Sequence, residues 1–388
     1  MMRRRDERGV VKIREIRAGG LRGSTPAGGW SHELTPSDVV HTLITVHTDD
    51  GRVGLGSVFT SEALVRASLD VLSDLVIGET ALEPERVSEK LHQHTFWQGR
   101  GGAITHTISG IDIALWDLFG QATGQPISRL LGGNYRERVR PYASVLMAEP
   151  AKLTGYLEGL RSQGFTAFKI GWGPFGRVSP RLDADIVGAA RAAIGDDALL
   201  AVDAGGSDAY WRSDLTWARN TARMLFDHNV SWFEEPLSPD DHAGFAALTS
   251  HSPVAISGGE VLTRRQAFVP YLSGRLVDIV QPDVTKVGGI SEFRRIAQSA
   301  EDAHVRVIPH GWNTAVGLAA DLQLVASQAR TDLVEYCTGS AYIDEIVCEP
   351  WTLDTEGMLA ISTRPGLGLT LDEEAVRYFT DGQDLFTP

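Results

Sequence analysis

Three acidic residues follow short apolar runs in the middle of the chain. They are Asp203, Glu234 and Glu260, and the gaps between them are 31 and 26 residues. Each gap matches one strand, one helix and two loops, so the three carboxylates would end successive parallel strands and converge on one point. Carboxylate oxygens are ligands that suit a hard divalent cation such as Mg²⁺. The spacing therefore predicts a barrel enzyme that uses a metal ion to hold developing negative charge.

The elements that must position these residues begin at about residue 139. From there the chain alternates short β-rich runs with amphipathic helical patterns. Eight strands with this spacing favour a parallel barrel over an open doubly wound sheet, which rarely needs eight units. The predicted strands are Pro141–Ser144, Ala167–Ile170, Leu199–Asp203, Ser231–Glu234, Val254–Ser257, Asp278–Gln281, Arg306–Pro309 and Leu333–Glu335.

The first 130 residues show a different pattern. Alternating apolar and polar residues over 41–47 lead into Asp49–Gly51, which predicts a strand entering a tight hairpin with a return strand over 53–58. Helical patterns follow, and an antiparallel sheet followed by helices predicts an α+β domain. We therefore predict an α+β domain over residues 1–130, completed by the turn-rich segment 352–388, and a barrel over residues 131–351.

Composition narrows the class of function. The chain has 388 residues, of which 43% are hydrophobic and 22% are charged, as in ordinary globular proteins. Its 36 basic and 50 acidic side chains give a net charge of −14. This balance argues against a nucleic-acid partner, because phosphate binding needs clustered Lys and Arg. The start of the chain is charged and no long apolar stretch follows, so we expect no membrane span and a cytoplasmic location.

Every predicted barrel strand from the second to the eighth has a polar residue at its end. A single ionisable residue in such a place is usually a helix cap or a surface charge. Seven in phase are hard to attribute to capping, and the carboxyl ends of barrel strands are where catalytic groups lie. The seven are Lys169, Asp203, Glu234, Glu260, Asp283, His310 and Glu335.

These residues belong to short motifs that extend over nearly the whole chain. The motifs are Gly110–Leu118, Leu130–Gly133, Gly164–Lys169, Val202–Asp203, Trp232–Pro236, Gly259–Glu260, Gln281–Gly289, Pro309–Gly311 and Val334–Glu335. Each fragment is weak by itself, but the ordered set resembles the enolase superfamily and, within it, the mandelate racemase-like branch. The resemblance implies an α/β fold, a modified TIM barrel of (β/α)7β form under an α+β capping domain whose loops close the site and select the substrate.

The resemblance also implies roles for the seven polar residues. The metal ligands of the family fall on Asp203, Glu234 and Glu260, with Mg²⁺ as the cofactor. Its base dyad falls on His310 and Asp283, in which the aspartate would fix the tautomer of the imidazole. Enzymes of this superfamily use a Lys or His base together with one or two Mg²⁺ ions.

Two further family positions concern the substrate carboxylate. Glu335 matches the residue that hydrogen-bonds a carboxylate oxygen, either as a protonated acid or, alternatively, as a carboxylate paired with a cation. The family often carries a Lys-x-Lys element, whose second lysine is a base on the face opposite the histidine. The ungapped match places Lys169 at the first lysine and Gly171 at the second, whereas a one-gap register would make Lys169 the second. A second departure is Gly205, where a racemase has a polar side chain.

With Lys169 as the polarising group, His310 is the only good base, and one face of the substrate carbon is bare. A dehydratase needs one base, which takes the 2-proton and returns it to the departing 3-hydroxyl. We therefore predict a Mg²⁺-dependent acid-sugar dehydratase, a hydro-lyase that makes a 2-keto-3-deoxy acid through an enediolate. The alternatives are a racemase or epimerase of a 2-hydroxy acid and, more remotely, a metal-binding barrel without catalytic activity.

The expected partner is a small anionic sugar acid, whose identity depends mainly on the capping loops. Six residues in those loops or just past strand ends are candidates for contact with it. They are Trp30, His32, Phe59, Trp172, Trp312 and Asn313. Their pattern does not fix the length or stereochemistry of the substrate. A homo-oligomer is expected by analogy with the family alone.

Overall fold

The structure, a computed structural model, describes residues 11–23, 40–205 and 214–387. Among these residues, three antiparallel strands come first, and the predicted hairpin at Asp49–Gly51 joins the second to the third. They are β1 (Ile13–Gly20), β2 (Thr42–Thr48) and β3 (Val53–Val58). The sequence patterns predicted β2 and β3, whereas β1 was not foreseen. Its charged residues Arg14, Glu15 and Arg17 interrupt the apolar alternation that marks a half-buried strand.

Helices cover one face of this sheet. They are α1 (Glu62–Val76), α2 (Pro84–His94), a short 3-10 helix (Phe96–Gln98), α3 (Gly102–Thr123) and α4 (Ile127–Leu130). The long helix α3 lies so close to β3 that a side chain at Gly56 would overlap the backbone of Gly110. Two facing glycines permit this approach, which buries α3 between the sheet and the barrel.

In the described residues of the second part of the chain, eight parallel strands separated by seven helices form a barrel, which confirms the predicted fold class. The strands are β4 (Arg138–Leu146), β5 (Ala167–Gly171), β6 (Leu199–Asp203), β7 (Trp232–Glu234), β8 (Ala255–Gly258), β9 (Ile279–Val280), β10 (Arg306–Val307) and β11 (Leu333–Cys337). The hydrogen-bonded order runs from β10 down through β4 to β11. Strand β10 is shorter than predicted, since Pro309 has no N–H to continue the ladder.

The helices between these strands are α5 (Pro150–Ser162), α6 (Pro180–Ile194), α7 (Leu215–Asp227), α8 (His242–Thr249), α9 (Arg264–Ser273), α10 (Gly289–Asp302) and α11 (Ala315–Ala326). The chain ends with α12 (Ala341–Asp344), β12 (Leu359–Ala360) and α13 (Glu373–Phe379). In the part of the chain that the structure describes, none of these helices combines the length and apolarity needed to cross a bilayer.

The barrel interior carries an apolar layer that lies one step below the predicted site. Tyr142, Ala167, Ala201, Trp232 and Leu333 belong to one buried cluster inside the strands. Side chains alternate between the two faces of a strand, so the residue two positions further along points inward as well. The inward positions after this layer are those of Lys169, Asp203, Glu234 and Glu335. The strand period therefore brings all four side chains to the same end of the barrel.

The C-terminal segment contacts both parts of the molecule. Strand β12 pairs with β4 of the barrel, whereas the backbone carbonyl of Leu385 accepts hydrogen bonds from Thr45 and His47 of the first sheet. Helix α3 also contacts the barrel, because Asp112 accepts hydrogen bonds from the backbone and side chain of Ser291. The division into a capping domain and a barrel at about residue 131 stays a prediction.

Candidate active site

The three predicted metal ligands meet at one end of the barrel. Asp203 ends β6, Glu234 ends β7, and Glu260 lies two residues beyond β8. The parallel ladder pairs Asp203 directly with Glu234, and one oxygen from each of the three carboxylates lies within 4.8 Å of the others. All three side chains are buried. Three buried carboxylates at this separation form a donor set for a hard divalent cation.

The electrostatics of the cluster fit a bound cation. Burial raises the pKa of Asp203 well above its ordinary value, and the neighbouring charges of Glu234 and Glu260 raise it further. A divalent cation between these carboxylates would offset the repulsion that causes the shift. Glu235, which follows the second ligand, is also buried and its pKa is raised by burial and by Glu260. Glu235 lies outside the group of three carboxylates that could hold a metal ion.

Hydrogen bonds hold Glu234 in a single orientation. Lys169 Nζ donates to its Oε1 at 2.5 Å, while Trp232 Nε1 and Gln281 Nε2 donate to its Oε2 at 3.0 and 2.8 Å. Neither Trp232 nor Gln281 was predicted from the sequence to have a role in the site. A signal was present at Trp232, because it lies two residues before Glu234 and therefore on the same face of the strand.

Lys169 connects the metal cluster to Glu335. Its Nζ lies 2.5 Å from Glu234, 2.9 Å from Glu335 and 3.6 Å from Asp203. Burial alone would lower the pKa of Lys169, but the charges of Glu234 and Glu335 outweigh it and raise that pKa well above its ordinary value. The ammonium group is therefore held charged at the end of the barrel.

The surroundings of Glu335 favour its charged form, because Lys169 Nζ lies 2.9 Å from its Oε1. Its Oε2 accepts a hydrogen bond of 2.7 Å from the Gly311 backbone N–H. Burial by itself would raise the pKa of Glu335, but the charges of Lys169 and His310 and the hydrogen bond from Gly311 together lower that pKa to about 2. Of the two alternatives raised from the sequence, this environment favours the carboxylate paired with a cation over the protonated acid.

His310 and Asp283 form a hydrogen-bonded pair. The Nδ1 atom of His310 donates to Asp283 Oδ2 at 2.8 Å, and its Nε2 lies 3.3 Å from Glu260 Oε2. Burial would lower the pKa of His310, but Glu260 and the bond to Asp283 raise it above its ordinary value. The other oxygen of Asp283 accepts hydrogen bonds from the backbone and side chain of Thr285 at 2.7 and 2.6 Å. The imidazole is thus oriented with Nε2 toward the carboxylate cluster.

A cavity of about 210 Å³ opens above these groups. Its described lining includes four predicted catalytic or metal-binding residues, namely Lys169, Asp203, Glu260 and His310. The remaining described walls consist of Phe59, Leu146, Trp172, Val261, Lys286 and Trp312. Of these, Leu146, Val261 and Lys286 were not predicted from the sequence to line the site. The cavity combines a charged floor with walls that are mainly aromatic and aliphatic.

The predicted substrate-contacting residues have different outcomes. Phe59, Trp172 and Trp312 line the cavity. Asn313 does not line it, because its side chain lies behind the dyad, where Nδ2 is 3.4 Å from Asp283 Oδ1 and Oδ1 is 3.0 Å from Thr285 Oγ1. Contact between Asn313 and the substrate therefore stays a prediction, and these distances place its side chain against Asp283. Trp30 and His32 lie outside the described residues.

Neighbouring side chains leave no room for a side chain at Gly171 or Gly205. A Cβ atom at Gly171 would lie 2.8 Å from Asp203 Cβ and 3.2 Å from its carboxylate carbon. Gly205 has φ +53, and a Cβ atom there would lie 2.6 Å from the Trp172 ring. The two departures from the racemase pattern therefore have a steric cause, since a side chain at either position would displace a neighbour.

We expect a Gly171→Ala variant to bind Mg²⁺ about 10- to 100-fold more weakly, because the added methyl pushes Asp203 away from Glu234 and Glu260. Isothermal titration calorimetry of the metal-free protein measures this change. The matched control is Gly159→Ala in α5, where no atom lies within 4 Å of the added Cβ. Unchanged Mg²⁺ affinity in a folded Gly171→Ala protein would contradict the steric argument.

Both parts of the chain match models of known protein families. Residues 34–132 match the model of the mandelate racemase / muconate lactonizing enzyme N-terminal domain, and residues 154–375 match the model of the enolase C-terminal domain-like family. The solved structure of 3,6-anhydro-D-galactonate cycloisomerase from Zobellia galactanivorans superposes with a TM-score of 0.85 at 29% identity. That similarity covers 95% of this chain and 99% of the other.

Two named relatives have similar sequences. D-galactarolactone cycloisomerase of Agrobacterium fabrum is 32% identical over 353 residues, which cover 87% of this chain and 91% of the relative. D-xylonate dehydratase of Haloferax volcanii is 31% identical over 362 residues, which cover 89% of this chain and 86% of the relative. Together with the two domain models, these similarities show that the chain belongs to the mandelate racemase / muconate lactonizing enzyme family of the enolase superfamily.

Proposed function

We propose that the protein is a Mg²⁺-dependent sugar-acid dehydratase that removes water across C2 and C3 to give a 2-keto-3-deoxy acid. The observation that carries this proposal is the hydrogen-bonded His310–Asp283 pair facing the three-carboxylate cluster across one cavity. The similarity to D-xylonate dehydratase supports a sugar-acid substrate.

The hydrogen at C2 of a sugar acid is weakly acidic, so its removal needs help at the carboxylate. Asp203, Glu234 and Glu260 would hold the Mg²⁺ ion, which supplies a Lewis acid that lowers the energy of the negative charge. Lys169 is placed to stabilise the same charge, because it is buried and held charged beside the cluster. Its contacts with three carboxylates support this role over that of a base on the opposite face.

His310 would carry the proton in both halves of the reaction. Its Nε2 takes the proton from C2, and the C–H electron pair forms the double bond toward the carboxylate. The same imidazolium then gives its proton to the oxygen on C3 as the C3–O bond breaks, so one water molecule leaves and the enol becomes the ketone. Asp283 orients the ring and stabilises its charged form through the 2.8 Å hydrogen bond.

A second candidate reaction uses the same groups on a ring substrate. Two similar proteins are named cycloisomerases, one for a galactarolactone and one for an anhydrogalactonate. If the oxygen on the β-carbon belongs to a ring, the same elimination opens the ring without releasing water. The product is then an isomer of the substrate, and the enzyme is an isomerase instead of a lyase.

A panel of sugar acids, sugar diacids and their lactones, tested with and without Mg²⁺, separates these functions. Dehydration yields a 2-keto-3-deoxy acid from an open-chain acid, and ring opening yields a 2-keto acid from a lactone or anhydro sugar. Mass spectrometry distinguishes the two, because only dehydration lowers the mass by that of one water molecule. Failure of every member to form a 2-keto acid, despite bound Mg²⁺, would favour the metal-binding barrel without catalytic activity.

Reaction in deuterated water tests the racemase alternative. We expect the recovered substrate to show no exchange of its C2 hydrogen with inversion of configuration at C2. Inversion needs a base on the second face of C2, and Gly171 supplies none. Proton NMR of the recovered substrate measures this exchange. Exchange with inversion and without loss of the C3 oxygen would instead establish an epimerase and make Lys169 the candidate for the second base.

A further inference from the structure

Lys286 is a charged residue of the cavity wall that has no role in the proposed mechanism. It follows the dyad residue Asp283 by three positions, and its backbone N–H donates to the Asp283 carbonyl at 3.0 Å. This tight turn directs the lysine side chain into the cavity, where only 7% of it is exposed. The turn therefore places a second buried ammonium group beside the site.

The contacts of Lys286 leave its hydrogen-bonding capacity unused. Its Nζ lies 3.6 Å from Asp283 Oδ2 and 3.9 Å from Glu260 Oε1, and both distances exceed a hydrogen bond. Below the ammonium lies the Phe59 ring, with its centroid 4.1 Å from Nζ. An ammonium group has three N–H donors, and among the described residues none accepts a hydrogen bond from this one. A ligand oxygen in the cavity would satisfy these donors.

The two lysines of the cavity differ in what they can bind. Lys169 lies inside the barrel and is committed to Glu234 and Glu335 at 2.5 and 2.9 Å. Lys286 instead lies against Phe59, which comes from the loop after β3 in the first part of the chain. The two ammonium groups therefore have different surroundings, and both residues line the one cavity that a ligand would fill.

We propose that Lys286 binds a second carboxylate, at the end of the substrate remote from C1, and that the substrate is therefore a sugar diacid. This inference rests on the proposed function, because it takes the C1 carboxylate to lie on the Lys169 side. A charge-assisted bond between an ammonium group and a carboxylate is stronger than a bond to a neutral hydroxyl, and partial burial strengthens it further. The nearby walls of Leu146, Val261 and Phe59 offer a carboxylate no cation.

The test compares two ligands that cannot lose water. The (R) and (S) forms of 2-hydroxyadipate and 2-hydroxyhexanoate both lack a 3-hydroxyl, and they differ in whether the far end is a carboxylate or a methyl group. Calorimetry with the Mg²⁺-loaded protein gives each affinity without turnover. We expect the wild-type protein to bind the diacid about 10- to 100-fold more tightly than the monoacid.

Variants then assign the preference to Lys286. Lys286→Met should lower the diacid-to-monoacid ratio about 10- to 100-fold, whereas Lys286→Arg should keep most of it. Lys90→Met is the matched control, because Lys90 pairs with Glu79 in the first part of the chain and should leave the ratio unchanged. The wild-type comparison is informative even if a variant fails to fold.

Two outcomes would overturn the proposal. One is a wild-type protein that binds both ligands equally, and the other is a Lys286→Met protein that loses affinity for both to the same extent. The second result would mean that Lys286 only balances the charges of Asp283 and Glu260. Failure of the proposed function would look different, since a protein that prefers the diacid ligand but converts no sugar acid would retain the Lys286 site.

Discussion

Replacing His310 with asparagine is expected to lower kcat about 10²- to 10⁴-fold on the sugar acid that the wild-type protein dehydrates, the usual contribution of a general acid–base group. Asparagine can still donate a hydrogen bond toward Asp283, so the carboxylate keeps a partner, but no group remains that can exchange a proton with C2. We also expect exchange of the C2 hydrogen in deuterated water to fall with turnover. Steady-state kinetics and proton NMR measure the two effects.

His304 provides the matched control for this variant. It is an exposed residue after α10 with φ +56, a backbone conformation that asparagine adopts readily. His304→Asn should therefore leave both kcat and stability unchanged. Full activity of a folded His310→Asn protein would remove the imidazole from the mechanism and leave the role of base to another group.

Replacing Asp203 with asparagine should change Mg²⁺ binding and the stability of the metal-free protein in opposite directions. Loss of one carboxylate ligand weakens cation binding, so the stabilisation that Mg²⁺ gives the wild-type protein disappears. That stabilisation is about 2.7 kcal/mol when the free cation is at 100 times its Kd. The metal-free variant should be at least as stable as the metal-free wild type, because the repulsion between Asp203 and its carboxylate neighbours is relieved.

Thermal unfolding with and without Mg²⁺ measures both effects in one experiment. Asp197→Asn is the matched control, because Asp197 is an exposed residue just before the same strand and should leave the Mg²⁺-induced rise in Tm intact. A normal Mg²⁺-induced rise in Asp203→Asn would show that the cation binds elsewhere. A large loss of stability in the metal-free variant would mean that the Asp203–Lys169 contact outweighs the repulsion.

The sequence determined the fold class and the convergence of the seven polar residues. The spacing of apolar residues along the chain indicates where strands and helices form. The carboxyl ends of parallel barrel strands all lie on one face of the barrel, so residues at those ends come together. Strand β1 was not predicted, because its charged residues interrupt the two-residue alternation of apolar and polar residues that marks a strand. The short strands β9 and β10 were placed correctly but predicted too long, since pairing depends on the neighbouring strand as well as on the residues themselves.

The packing and charge pairing of the side chains around those residues became clear only from the folded structure. In the sequence, Gly171 stands where the family often has the second lysine of the Lys-x-Lys element. The packing against Asp203 shows that no side chain fits there. Glu335 could have been neutral or charged until its distance from Lys169 was known. The side chain of Asn313 lies behind Asp283, and the side chain of Lys286 lies in the cavity beside Phe59. Close approach, burial and charge pairing involve residues far apart along the chain, so no local pattern encodes them.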